Sequence, residues 1–388
     1  MRFHTLDSWR GICALFVALM HLPALGHFYA LPFLRNSYLF VDFFFVLSGF
    51  VITFSYGDKI VDWRSAGKFM VRRIGRIWPL HMVMLFLFFG LEFLKYFMSG
   101  WYGGAHQLPF TGETSPKALL TNTLLIHAAG IHDVNTWNKA SWSISAEFIV
   151  YAGFALTIIA FRSRTSLVLG LLAAISAVLL LDFSPNYMDT QQEFGVLRCL
   201  FGFAAGHLVY RLYRHTAKVN GGPRFGSMVE AAALVLVAIF VSKAGRGLAT
   251  MFAPLLFGAV VYVFASGKGI FTSLLSTKVF RRLGELSFSI YMVHLFGVEM
   301  LMKAANVLEK VTGWTVKAPH VPGGDQTEML VFGGPWAMDA LTLVYLAVVV
   351  VISGFTYRLI EKPGQRFFNN SLLVLRGEAK EGVRPLAH

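Results

Sequence analysis

The sequence predicts an all-α integral membrane protein of about ten transmembrane helices with both termini in the cytoplasm, and three observations lead there. First, 56% of the 388 residues are hydrophobic and only 14% are charged, with 37 Phe, 14 Met, 8 Trp and a mean hydropathy of +0.59. No soluble core hides that much apolar surface. Second, scanning at the ~20 residues a membrane helix needs finds ten apolar runs, beginning near Trp9, Leu39, Ile77, Ser143, Ser166, Phe194, Met228, Gly247, Leu283 and Ala337. Third, a topology with the N-terminus inside places nine cations outside: Arg35, Lys95, Lys117, Lys139, Lys243, Arg246, Lys303, Lys310 and Lys317. With Arg198 inside a span, this leaves 24 of the 34 Lys and Arg on the inner face. That is the asymmetry of the positive-inside rule. The net charge of +13 therefore sorts to one side of a bilayer, and nucleic acid is not an expected partner.

Taken in order, the first span carries Arg10 and His21, eleven residues apart and so roughly 16 Å along a helix, about half of the ~30 Å hydrocarbon core. Arg10 then lies at the cytoplasmic mouth and His21 beyond the midplane. A cleaved signal peptide is a rival reading of this run, but His21 and Pro23 interrupt it and its loss would spoil the charge sidedness. The second span places Asp42 one turn below its outer end, at a depth like that of His21, and then Ser48 and Gly49, a small-residue break where a helix or an extended ligand can approach the backbone. The inner loop ends in VRRIGRIWPLH, where Arg72, Arg73 and Arg76 cluster before Pro79. Between the third and fourth spans, a segment of some forty residues has a core, ALLTNTLLIHAAGI, too short to cross, and it reads as interfacial or re-entrant.

The fourth span opens with SWSISAEFIVY, which puts Glu147 about one turn into the outer half, in one layer with His21 and Asp42. The fifth and seventh spans are nearly free of polar residues and suit lipid-facing positions. Arg198 in the sixth demands an anionic partner. The ninth carries Glu285, Tyr291 and His294, and the tenth ends in Glu361, Lys362 and Pro363. The transmembrane unit is expected over residues 1–360, followed by a short basic cytoplasmic tail over 361–388.

Ionisable groups within spans cost ~2.5 to 3.5 kcal/mol each on insertion scales, so each asks for a partner or a task. An Asp42 carboxylate on one nitrogen of His21 would fix its tautomer and raise the basicity of the other, as a general base requires. Glu147 would be a supporting or acceptor-side carboxylate. The arginine cluster at a pore mouth suits a phosphorylated cosubstrate, because guanidinium presents a planar fork of donors to phosphate. Alternatively, Arg10 and the cluster anchor the inner face and contact anionic lipid. No second His or Cys stands at i+3 or i+4 of His21 or His294, and Cys13 and Cys199 lie in apolar runs, so neither a metal site nor a disulfide framework is expected.

These segments together resemble acyltransferase family 3, the bacterial integral-membrane O-acyltransferases of surface polysaccharides, lipopolysaccharide and some small molecules. The resemblance rests on LDSWRGICALFVALMH, FVDFFFVLSGFVI, RRIGRIWP, SWSISAEFIVY, LSFSIYMVH and YRLIEKP, six motifs in the family's order. It implies a multi-pass protein of the bacterial cytoplasmic (inner) membrane. It also implies an acyl-CoA cosubstrate, usually acetyl-CoA, bound from the cytoplasm, and O-acetylation of a glycan or other hydroxyl acceptor at the outer side. By motif, His21 becomes the base or nucleophile and Arg10, Arg72, Arg73 and Arg76, with Ser48 and Gly49, become donor-binding candidates; Tyr291, His294 and Trp142 are further candidates. Many family members carry two acidic residues where this chain has Glu147 followed by Phe148, which puts the role of that site in doubt. Some relatives add an extracytoplasmic hydrolase-like domain, and this chain is expected to be the membrane domain alone. Membrane lipids are expected partners, and the helices leave a homo-oligomer open.

Two other classes fit buried polar residues. A proton-coupled transporter or flippase would use them as a relay, and calls for paired halves with broken helices that the sequence does not display. A structural or sensory protein would tolerate neutral substitutions at Arg10, His21 and Asp42.

Overall fold

The computed structural model describes residues 3–98, 108–216, 223–319 and 328–374. Each of the ten apolar runs is a helix: α1 His4–His21, α2 Phe40–Tyr56, α3 Trp63–Met98, α4 Trp142–Phe161, α5 Thr165–Phe183, α6 Gly195–Thr216, α7 Pro223–Lys243, α8 Ala253–Ser266, α9 Lys278–Thr312 and α10 Gly334–Thr356. Uninterrupted apolar runs favour helix in lipid because every backbone group is then satisfied within its own segment. Proline stands in the first turn of α8 and α10, where its missing N–H costs nothing. Gly313, at a φ of +70°, ends α9 with its N–H on the Glu309 carbonyl. Among the described residues, seven segments are long and apolar enough to cross a membrane by length and composition, and the one from Lys139 to Phe183 contains both α4 and α5. Neither α1 nor α6 is among them, since charged and histidine side chains break up their apolar runs.

Two close helix crossings organise the bundle. Where α1 meets α9, a methyl group added to Gly11 would sit 2.6 Å from the Leu283 carbonyl carbon, and one added to Gly284 would overlap the Asp7 carbonyl oxygen. Where α2 meets α6, the same addition at Gly49 would overlap the Phe203 carbonyl oxygen, and at Gly206 that of Val46. Helix backbones approach this closely only when no side chain intervenes. Gly49 is thus a packing residue facing α6 and does not open toward a ligand, a correction to its expected role in donor binding.

Past α10, a π-helical turn over Tyr357–Glu361 leads into α11, Lys362–Val374. Gly364 rests on Pro79 and Phe368 on Gly75, so this part of the expected tail packs along α3. Residues 375–388 lie outside the described residues. The segment before α4 holds an eight-residue helix, Pro116–Thr123, too short to span, capped by the Ser115 hydroxyl and tied to α3 by Trp78 Nε1 donating to the Thr123 carbonyl at 3.0 Å. An antiparallel strand pair, Lys317–Pro319 with Glu328–Leu330, was not anticipated. The Leu330 N–H donates to the Pro23 carbonyl at 2.7 Å and the Leu25 N–H to the Leu330 carbonyl at 2.9 Å, which pins the chain just beyond His21. Lys317 in this pair meets Glu328 at 2.7 Å; burial lowers its pKa, but the Glu328 hydrogen bond and the Glu328 and Glu309 charges outweigh that, and the pKa is raised.

Candidate active site

The bundle encloses two chambers at its opposite ends. One, of about 470 Å³, is lined at the start of α1 by Asp7 and Arg10, on α2 by Ser48, on α3 by Arg73 and Arg76, on α4 by Ser143, Glu147 and Tyr151, on α9 by Glu285 and Tyr291, and by Glu361. The other, of about 420 Å³, is lined at the end of α1 by His21, and by Tyr38, Asn135, Trp142, Asp189, Gln191, Arg198, Arg246, Tyr291 and Glu299. Both volumes are typical of small-molecule sites. Val41 and Tyr291 line both chambers, so the wall between them is there one side chain thick.

The expected link between Arg10 and His21 is thus realised as two ends of α1 serving different chambers. Arg73 and Arg76 join Arg10, whereas Arg72 is not among the lining residues. The three guanidiniums share their chamber with Asp7, Glu147, Glu285 and Glu361. Glu147 accepts a short hydrogen bond from the Tyr151 hydroxyl, which also meets Ser48 Oγ at 2.7 Å. Glu147 therefore belongs with the arginines. His21 and Glu147 line different chambers, the Arg10 chamber reaching along α4 as far as Ser143.

Asp42 is likewise not the orienter of His21. Its two carboxylate oxygens receive Nε and Nη2 of Arg198, each at 2.8 Å, and the pair is 0% and 1% exposed. This answers the demand of Arg198 for a partner. The remaining Arg198 donors reach the carbonyls of Thr190 at 3.1 Å and Tyr38 at 3.2 Å, and its guanidinium lies 5.4 Å from the Trp142 ring centre. Such a fully hydrogen-bonded pair is the form in which two charges are tolerated away from water.

The partner of His21 is His294. The Nδ1 of His21 lies 2.8 Å from the Val17 carbonyl and 3.3 Å from His294 Nε2, and His294 Nδ1 lies 2.7 Å from the Tyr291 carbonyl. A carbonyl oxygen only accepts, so each Nδ1 carries the proton. His294 Nε2 is then an acceptor facing the His21 Nδ1–H, and the His21 lone pair is on Nε2. This tautomer is the one a general base or nucleophile needs. The Tyr291 hydroxyl, 2.6 Å from Ser143 Oγ and 3.0 Å from the Ala140 carbonyl, ties the dividing wall to the entry of α4.

Two further histidines escaped the sequence reading. His81 of α3 and His127 stack nearly parallel, with ring centres 5.9 Å apart, both fully buried. His81 Nε2 meets the Asn122 carbonyl at 2.9 Å and His127 Nε2 the Ser141 hydroxyl at 3.1 Å, so they brace the short helix and the α4 entry. His81 follows the arginine cluster by five residues, but a lone histidine among apolar neighbours carries no signal of its mate.

Residues 3–361 match the family described as "Acyltransferase domain". The chain is 33% identical over 194 residues to "Protein 2 in picA locus" of Rhizobium radiobacter, covering 48% of this chain and 96% of that protein. It is 27% identical over 372 residues to "Acyltransferase MdmB" of Streptomyces mycarofaciens, covering 90% and 83%. No solved structure matches. With a helical bundle of membrane-crossing length and a match over almost all of its residues, the chain belongs to acyltransferase family 3 and is a multi-pass membrane acyltransferase.

Proposed function

We propose that this acyltransferase takes an acyl group, acetyl by the resemblance, from cytoplasmic acyl-CoA entering the Arg10 chamber. It passes the group to a hydroxyl of an acceptor in the His21 chamber, a surface-glycan sugar by the same resemblance, at the outer side of the bacterial inner membrane. The observation that carries this reading is the two-chamber arrangement, with guanidiniums in one and a tautomer-fixed imidazole in the other. His21 Nε2 takes the acceptor's hydroxyl proton as that oxygen bonds to the thioester carbonyl carbon; the C–S bond breaks, the thiolate leaves toward the Arg10 chamber and takes a proton from solvent there, and His21 returns its proton to solvent in its own chamber. Arg10, Arg73 and Arg76 bind the donor. Because four carboxylates share their chamber, its depth favours the uncharged pantetheine arm and leaves the phosphates at the mouth.

Purified protein in nanodiscs, given radiolabelled acetyl-CoA, tests this. Wild type is expected to consume the thioester in a reaction that His21→Ala slows by about 10²–10⁴-fold, the usual worth of a general base. Undiminished turnover by folded His21→Ala would overturn the assignment.

A further inference from the structure

Resting on that reading, we propose that Tyr291 is the movable wall between the donor and acceptor chambers, and that the acyl group passes where its ring now stands. A thioester held on the Arg10 side and His21 Nε2 on the other side cannot meet while the wall is closed. Of the two residues that line both chambers, Val41 is a short β-branched side chain with restricted χ1, set one residue before the locked Asp42. Tyr291 is the long one, buried, with its ring also against that of His294 at 5.7 Å between centres, and its polar anchors are at its tip. Its hydroxyl is anchored by Ser143 and the Ala140 carbonyl, and its ring lies edge-on to Phe44 at 5.8 Å between centres.

An arriving pantetheine amide can exchange with those two polar anchors, since Ser143 also lines the donor chamber. Displacement of the ring parts it from the His294 ring, 5.7 Å away between centres, but keeps the hydrogen bond that holds His294, which runs to the Tyr291 backbone carbonyl. Tyr291 is thus a positioning and gating residue: it keeps water and acceptor from the thioester until the donor is seated.

The test reads accessibility independently of chemistry. Ser48→Cys places a thiol in the donor chamber, and the native Cys13 and Cys199 are fully buried. In oriented proteoliposomes, a charged membrane-impermeant maleimide is expected to label the introduced thiol from the Arg10 side only. With Tyr291→Ala added, labelling from the His21 side should rise at least tenfold, while Tyr291→Phe, which keeps the ring, should remain one-sided. With acetyl-CoA and no acceptor, Tyr291→Ala should hydrolyse thioester at least fivefold faster than wild type. If Tyr291→Ala does not fold, Tyr291→Leu serves in its place. One-sided labelling in the folded variant would overturn the wall. Absence of acetyl-CoA turnover in wild type would instead overturn the donor reading and leave the labelling result standing.

Discussion

The pairing of Asp42 with Arg198 sets what a substitution at either position does. Removing one charge leaves the other buried and uncompensated, a loss of about 3–5 kcal/mol, whereas replacing both with apolar groups is often neutral. Asp42→Asn is therefore expected to lower thermal stability in detergent markedly, and Asp42→Leu combined with Arg198→Leu to restore much of it. A stable single variant with wild-type melting would contradict the pair's structural role. At this scale the sequence was informative where one helix carries the whole relation: Arg10 and His21 fall at opposite ends because eleven residues of helix separate them. It was silent where the relation crosses the fold. Asp42 and Arg198 are 156 residues apart, and His21 and His294 are 273 apart, so nothing local told which carboxylate or imidazole each would meet.

At the scale of elements, the α2–α6 crossing makes a sharp demand. Gly206→Val would force a side chain into the Val46 carbonyl, and overpacking of this kind costs about 1–3 kcal/mol even where the surroundings yield. We expect loss of monodisperse protein on size-exclusion chromatography for Gly206→Val. The exposed Gly153 of α4, with open space around it, should accept Ala with unchanged or slightly raised melting temperature. Most of the ten helices were legible as long apolar runs, a pattern that survives without tertiary information, and α1 and α6 were legible although charged and histidine side chains interrupt theirs. The strand pair beyond α9 was not, since three residues per strand give no period to read. Glu147 was placed correctly along its helix, about one turn in, but the chamber it shares with Arg10, Arg73 and Arg76 was not legible. The depth of a cavity belongs to the packing of several helices and not to any one of them.

For the whole molecule, the expected ten crossings would return the C-terminus to the side of the N-terminus, the side expected to be richer in Lys and Arg. A fluorescent reporter fused to the C-terminus should be bright, and a periplasm-dependent phosphatase fused there inactive; the reverse pattern would mean an odd number of crossings. On the proposed reading, the basic excess expected to set this orientation also lies on the face where an anionic donor would arrive, so insertion and substrate attraction would draw on the same charges.

The two glycine crossings divide this bundle mechanically. Backbones in direct contact slide poorly, which couples α1 to α9 and α2 to α6. His21 and His294 both ride on the first pair, and Asp42 and Arg198 both ride on the second. Val41 and Tyr291 come one from each. The seam between the two helix pairs is therefore the seam between the chambers, and the imidazole couple and the ion pair each lie wholly within one pair. A parting of that seam would leave both couples intact.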